Sequence, residues 1–213
     1  MGARPLTLGR LPQWIGRVGM VYNISMRIVQ LCGWEYQRKR EFGMTEQKVT
    51  PKVAFEIRPF KPGEEQYVME AHRRIYREEY HWNDVFGDYA AHVAEEFAQR
   101  PQKAGEVLWI AIADGKPVGC IMLCEGETPD IGVLRLFLVE KEYRQHGIGR
   151  VLTKTLLDEA EAHGYKELML WTASPLVDAI RHYEKLGFKE VERVANTEWS
   201  LDGETVYEIL MKR

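Results

Sequence analysis

Between the hydrophobic run "IGVLRLFLVE" at residues 131–140 and an amphipathic segment beginning at Ile148, the chain carries Arg144-Gln145-His146-Gly147-Ile148-Gly149. Two glycines that close together spoil a regular element, so their place between a strand and a helix needs a local reason. Close approach is the physical one: glycines let backbone amides meet a ligand with no Cβ in the way. A strand, a glycine-bearing turn and a helix N-terminus together make an anion site. The first-turn N–H groups are free there, and the helix dipole adds about half a positive charge. A Walker phosphate loop needs Gly-Lys-Ser/Thr at its end, whereas Gly149 is followed by Arg150-Val151. A Rossmann turn needs a third glycine where Leu152 stands, and an early place in the chain. Neither fits.

The sequence around this turn supports one α+β domain. Its 213 residues, 45% hydrophobic and 29% charged, suit a soluble protein with a sizeable core. A net charge of −3 gives no global basic field of the kind nucleic-acid binders use. No apolar run approaches the roughly 18 residues of a membrane span. Cys32, Cys120 and Cys124 lack metal-ligand or CxxC spacing, and no metal site is expected. Cys120 and Cys124 are predicted to point to one face of a strand as small buried hydrophobes, in keeping with a reducing, cytoplasmic setting.

Residues 1–52 differ in character from the rest. Arg4, Arg10, Arg17 and Arg27 precede the first acid, Glu35, and Trp14–Trp34 is apolar without helical period. Tyr22, Ile24, Met26 and Ile28 alternate with polar residues as in a short strand. A poorly structured extension is expected here, with Met44 a natural start; an Arg-rich leader is the alternative. The domain then covers residues 53–213. "VAFEIRPF" alternates like an edge strand. Two helices follow, one with Val68, Ala71, His72, Ile75 and Tyr76 on its inner stripe, the other with Phe86, Tyr89, Ala90, Val93, Ala94 and Phe97. "VLWIAIA", "DGKP" and "VGCIML" read as a hairpin, and "IGVLRLFLVE" as the next strand. A helix over 148–163 turns Ile148, Val151, Leu152, Leu156 and Ala160 inward. After the strand "KELMLWT", Ser174 and Pro175 are predicted to open a helix as N-cap and first residue, and Gly187 to close it. Asp202-Gly203 is predicted as a type I′ turn between the last two strands. The order is β-α-α-β-β-β-α-β-α-β-β, and the crossover helix makes its two flanking strands parallel.

Two motifs carry a resemblance over roughly residues 53–213. "RQHGIG", preceded by "VEKEYR", matches the Arg/Gln-x-x-Gly-x-Gly/Ala coenzyme loop of the GNAT N-acetyltransferases, and "HYEKLGF" at residues 182–188 matches their second hallmark. The chain is particularly similar to the acetyltransferase half of proteins that join a MarR-type regulator to such a domain. The first 52 residues show no winged-helix pattern that would supply the regulator. The resemblance implies the GNAT fold, a mixed and mostly antiparallel sheet with one parallel pair, flanked by helices. It implies acetyl-CoA as co-substrate. Phe137, Leu138 and Val139 would pair through their backbone with the pantetheine arm, and amides of Gln145, His146, Gly147, Ile148, Gly149 and Arg150 would hold the pyrophosphate. The side chains of His146 and Arg150 are expected in solvent. Tyr183 matches the tyrosine whose hydroxyl lies near the coenzyme sulfur, where a phenol of pKa about 10 can protonate a leaving thiolate.

The chain also departs from that pattern. Where many members carry an Asn and, upstream, a Glu, it has Leu176 and Trp171, and where an acid often holds the deprotonating water it has Arg135. Base candidates are Glu78, Glu79, Glu125 and Glu127; Arg135 would pair with one of them or clamp an acceptor carboxylate. Tyr76, Tyr80, His81, Trp82, Phe86 and Trp199 would line an acceptor site that leans toward a small amine or amino acid. The expected activity is direct acetyl transfer to a primary amine by a monomer or homodimer. A non-catalytic acyl-CoA sensor is the alternative.

Overall fold

The computed structural model describes residues 53–213. The expectations for residues 1–52 lie outside the described residues. From there the elements are β1 Phe55–Pro59, α1 Glu65–Tyr80, α2 Asp84–Gln99, β2 Val107–Ala113, β3 Lys116–Glu125, β4 Ile131–Val139, α3 Ile148–His163, β5 Glu167–Ala173, α4 Val177–Lys185, β6 Lys189–Asn196 and β7 Val206–Lys212. This is the order read from the sequence. The strands form one seven-stranded sheet, β1-β2-β3-β4-β5-β7-β6. Every neighbouring pair is antiparallel except β4–β5, which is parallel because α3 carries the chain back across the sheet. Among the described residues no helix is long and apolar enough to cross a membrane.

Each sheet face is covered in its own way. One face packs on α3 and α4 through Leu134, Leu152, Leu156, Leu170, Phe188 and Ile209. The other packs on α1 and α2 through Val68, Ile75, Phe97, Ile110, Met122 and Leu138. Being covered twice, β3 is buried without interruption from Val118 to Cys124, so its sequence shows no alternation. Cys120 and Cys124 do share one face, toward α1 and α2. A third cluster joins Trp82, Ala173 and Val206 with Tyr76, Phe86 and Trp199 at one end of the sheet.

Four local expectations are corrected. Val151 and Tyr89 are exposed at 36% and 40%, at the edges of their helical stripes, and Thr153 is the buried neighbour on α3 instead. The Ser174-Pro175 pair precedes the helix, which starts at Val177. The Ser174 hydroxyl accepts from the Tyr207 amide at 3.1 Å and so serves β7 instead of a helix end. Asp202-Gly203 is no two-residue hairpin, since β6 ends at Asn196, β7 starts at Val206, and only Gly203 of the pair has positive φ. The intervening loop is drawn off to pair Ser200 with Trp82. Asp114-Gly115, both at positive φ, make the tight β2–β3 turn.

Helix α1 carries one titratable ring into the core. His72 is 2% exposed, and its Nδ1–H donates to the Val68 carbonyl at 2.7 Å. Burial pushes its pKa down to about 4, so the ring is neutral at physiological pH. In the unfolded chain it titrates near 6.5. Between those values the unfolded state binds the extra proton, so stability falls as pH falls, by up to about 3 kcal/mol. Denaturant titrations of wild type and His72→Phe between pH 7 and pH 4 should show that loss in the wild type and its absence in the variant. On α3, Leu156→Ala should cost about 2–5 kcal/mol, as a cavity in the main cluster. Val151→Ala should stay within about 0.5 kcal/mol of wild type. Equal losses for the two would contradict the helix orientation described.

Candidate active site

Parallel pairing of β4 with β5 runs only from Ile131–Glu167 to Leu134–Leu170. Beyond that point β4 is bulged: Leu136 and Phe137 stand opposite the single residue Ile121, and Leu136 takes φ +48°. A leucine pays strain there, so something must hold it. The buried Cys120 thiol donates to the Leu136 carbonyl at 3.0 Å, and burial keeps that thiol protonated. The rest of β4 turns away from β5, and a cavity of about 1060 Å³ occupies the gap, reaching from Phe137 and Gly149 to Trp199.

The glycine turn borders one end of the cavity. Arg144 enters it, with Nε–H donating to the Val139 carbonyl at 2.9 Å and the guanidinium held by both Glu79 carboxylate oxygens at 2.6 and 2.8 Å. This fork fixes where the turn begins. Gly147 lies at φ +89°, which requires glycine, and a Cβ on Gly149 would meet the Phe137 ring at 3.3 Å. The first helical bond runs from the Val151 amide to the Gly147 carbonyl at 3.1 Å. Amides of Ile148, Gly149 and Arg150 therefore precede any intrahelical acceptor. Gln145 and Gly149 border the cavity, as do Phe137, Leu138 and Val139. The Ile148 side chain is core, and Arg150 is exposed as expected. His146 departs from expectation: it is half-buried, and its Nδ1 is shut away without a partner among the described residues.

Tyr183 is buried on α4, its ring centroid 6.1 Å from that of Phe137 and 6.0 Å from that of Phe188. Burial, and then the nearby Tyr76, hold its hydroxyl well above the ordinary phenol range, so it keeps its proton. No local pattern in the sequence marks the bond beside it. Thr153 donates to the Gly149 carbonyl at 2.9 Å and so accepts from His182 Nε2–H at 3.0 Å. Helix α4 is thereby fastened to the first turn of α3, next to the amides just described.

The far end of the cavity is aromatic. Tyr76 and Phe86 lie 4.4 Å apart between ring centroids, Trp82 and Phe86 4.8 Å, and Trp82 and Trp199 5.1 Å. Tyr80 joins them, but His81 does not: it is exposed and caps α1 at φ +54°. Asn83 caps α2 by accepting from the Val85 amide at 3.0 Å, while its own amide donates to the Trp199 carbonyl at 2.8 Å. Of the base candidates, Glu79 is committed to Arg144, Glu125 is held by Lys103 at 2.6 Å and Glu78 is exposed. Glu127 faces the cavity, with Arg135 and three acids that the sequence did not single out, Asp178, Glu192 and Glu208.

Two residues of the wall, His72 and Thr172, each carry a buried polar atom, Nε2 and Oγ1, without a partner among the described residues. Each such atom costs about 1–3 kcal/mol while it stays unpaired.

The family model described as "Acetyltransferase (GNAT) family" matches residues 67–188. Over 90 residues the chain is 32% identical to N-acetylaspartate synthetase of Xenopus tropicalis, covering 42% of this chain and 33% of that protein. It is also 32% identical over 90 residues to human N-acetyltransferase 8, covering 40% of each. The chain thus matches well under half the length of these curated relatives. Among solved structures, a Salmonella typhimurium protein described with its cofactor acetyl-CoA aligns with a TM-score of 0.59 at 18% identity, over 75% of this chain and 93% of that one. With the matched segment running from the start of α1 through both hallmark turns to Phe188, the chain belongs to the GNAT acetyltransferase family.

Proposed function

We propose that this chain is an N-acetyltransferase that moves the acetyl group of acetyl-CoA to a primary amine of a small molecule or amino acid, in a ternary complex. The observation that carries this is the cavity itself. It brings the freed edge of β4, the unmatched amides of the turn and the Tyr183 ring to one gap in the sheet. Backbone groups of Phe137, Leu138 and Val139 receive the pantetheine arm as an added strand, and amides from Gln145 to Arg150 receive the pyrophosphate. Holding both substrates removes the entropy cost of their meeting. The ammonium proton passes to water or to a cavity carboxylate, of which Glu127 is one, and the amine attacks the thioester carbonyl. A β4 amide near Leu138 stabilises the oxyanion. Tyr183, protonated by its burial, donates to the departing thiolate.

The name N-acetylaspartate synthetase on one relative supports an amino-acid-like acceptor. The finer likeness to regulator-fused acetyltransferases rests on "LWT" and "YE" at their spacing in this sequence. A non-catalytic acyl-CoA sensor is the second reading, favoured by Arg135 where an acid is usual. Acetyl-CoA turnover with a panel of amines separates the two.

Gly149→Glu should abolish acetyl-CoA binding by calorimetry while the protein still unfolds cooperatively, because the atoms nearest the new Cβ are all side-chain atoms, the Phe137 ring at 3.3 Å and a Val139 methyl at 3.7 Å. Undiminished affinity would sink the coenzyme assignment. Tyr183→Phe keeps the ring, so acetyl-CoA affinity should hold while turnover falls roughly 10²–10⁴-fold. A loss below tenfold, with chemistry shown to limit the rate, would reduce Tyr183 to a packing residue.

A further inference from the structure

We propose that His72 sets the acceptor specificity: its bare Nε2 receives an O–H or N–H donor carried on the apolar body of the amine. The proposal rests on the acetyltransferase reading and narrows its substrate class to primary amines that bear a neutral hydrogen-bond donor away from the reacting nitrogen.

The tautomer follows from geometry. A carbonyl only accepts, so the 2.7 Å contact to Val68 places the ring proton on Nδ1 and leaves Nε2 with its lone pair. The ring lies on the cavity wall, and that nitrogen is buried without a partner among the described residues. The ring stacks on Tyr76, 5.9 Å between centroids and 13° from parallel, so it cannot swing to find another partner without breaking the aromatic wall. Beside it α1 contributes Ile75, and α2 contributes Ala90 and Val93, to the same wall. An uncharged acceptor in that apolar setting favours a neutral donor, because one hydrogen bond does not offset the desolvation of a cation. The charged group that β4 presents to the cavity from this side of the sheet is the cationic Arg135, opposite Met122, which offers an ammonium no counter-charge. The cavity acids lie on other elements: Glu127 on the β3–β4 loop, Asp178 on α4, Glu192 on β6 and Glu208 on β7. The reacting ammonium therefore belongs toward those acids and the β4–β5 gap, and the body of the acceptor reaches back along the aromatic wall to His72. A site built to pair a donor rejects the analogue lacking it, because its own polar atom is then left unpaired.

The test uses the full chain and two pairs of amines, tyramine with phenethylamine and tryptamine with 1-methyltryptamine. In at least one pair, wild type should prefer the donor-bearing member by about 10–100-fold in kcat/KM. His72→Phe should bring that ratio within about threefold of one, by lowering the donor-bearing amine alone. His72→Gln, which keeps an acceptor oxygen, should retain part of the preference. His72→Leu replaces the Phe variant if the larger ring prevents cooperative folding. Equal rates within both pairs in wild type, or a preference that survives both apolar variants, would overturn the proposal. Calorimetry of the same amines on coenzyme A-saturated protein separates the two levels of the argument. Discriminating binding without turnover refutes the transferase reading and leaves His72 in place. Turnover without discrimination, or no binding of any of the four amines, refutes the role of His72.

Discussion

Backbone pairing between β4 and β5 ends at Leu134–Leu170, and the cavity exists because it ends there. Had the ladder continued to Val139, the two strands would lie about 4.8 Å apart throughout, with no space between them. Tyr183 and Tyr76 would then stand on opposite sides of a continuous sheet. The separation comes from one extra residue in β4 and one leucine at positive φ, held by the Cys120 thiol from the adjacent strand. Unpaired strand groups on the freed edge need a partner, and an extended amide-bearing chain supplies one. An unpaired edge of this kind can serve as a recognition surface.

Around this gap the molecule is fastened at a few polar points instead of by apolar contact alone. Arg144 ties the turn to the end of α1 through Glu79 and to β4 through the Val139 carbonyl. Thr153 ties the start of α3 to α4 through His182. Both fasteners join the turn end of the cavity to another element of its rim: α1, which carries Tyr76 and Tyr80, and α4, which carries Tyr183. Charge-assisted and buried bonds of this kind hold direction better than dispersion contacts do, so they fix how these elements sit around the cavity.

The element order and the glycine turn were legible because they depend on patterns within a few residues: alternation, a helical stripe, glycine where a Cβ has no room. What was not legible depends on partners far along the chain. Ser174-Pro175 has the composition of a helix start, yet the Ser174 hydroxyl is claimed by Tyr207. Asp202-Gly203 has the composition of a hairpin, yet its neighbours are claimed by the α1–α2 corner. Nothing in the sequence around Glu79 and Glu125 marks Arg144 and Lys103 as their partners. Asp178, Glu192 and Glu208 carry no local signal at all, since only the fold turns them toward one cavity. His72 was visible as a stripe residue, but its unpaired nitrogen was not.

The stitching of the β6–β7 loop onto the α1–α2 corner has a kinetic consequence. Asn83 donates through its side-chain amide to the Glu198 carbonyl, 115 residues away, and its backbone amide meets Trp199. Contacts of such separation return their energy only after most of the intervening chain is ordered, because closing the loop between them must come first. The aromatic wall is accordingly expected to form late, after the α1–α2 hairpin and the β2–β3 hairpin, whose contacts are local. Stabilisation confined to late contacts slows unfolding more than it speeds folding. An occupant of the aromatic end, gripping both the corner and the loop, would therefore lengthen the lifetime of the native state without hastening its formation.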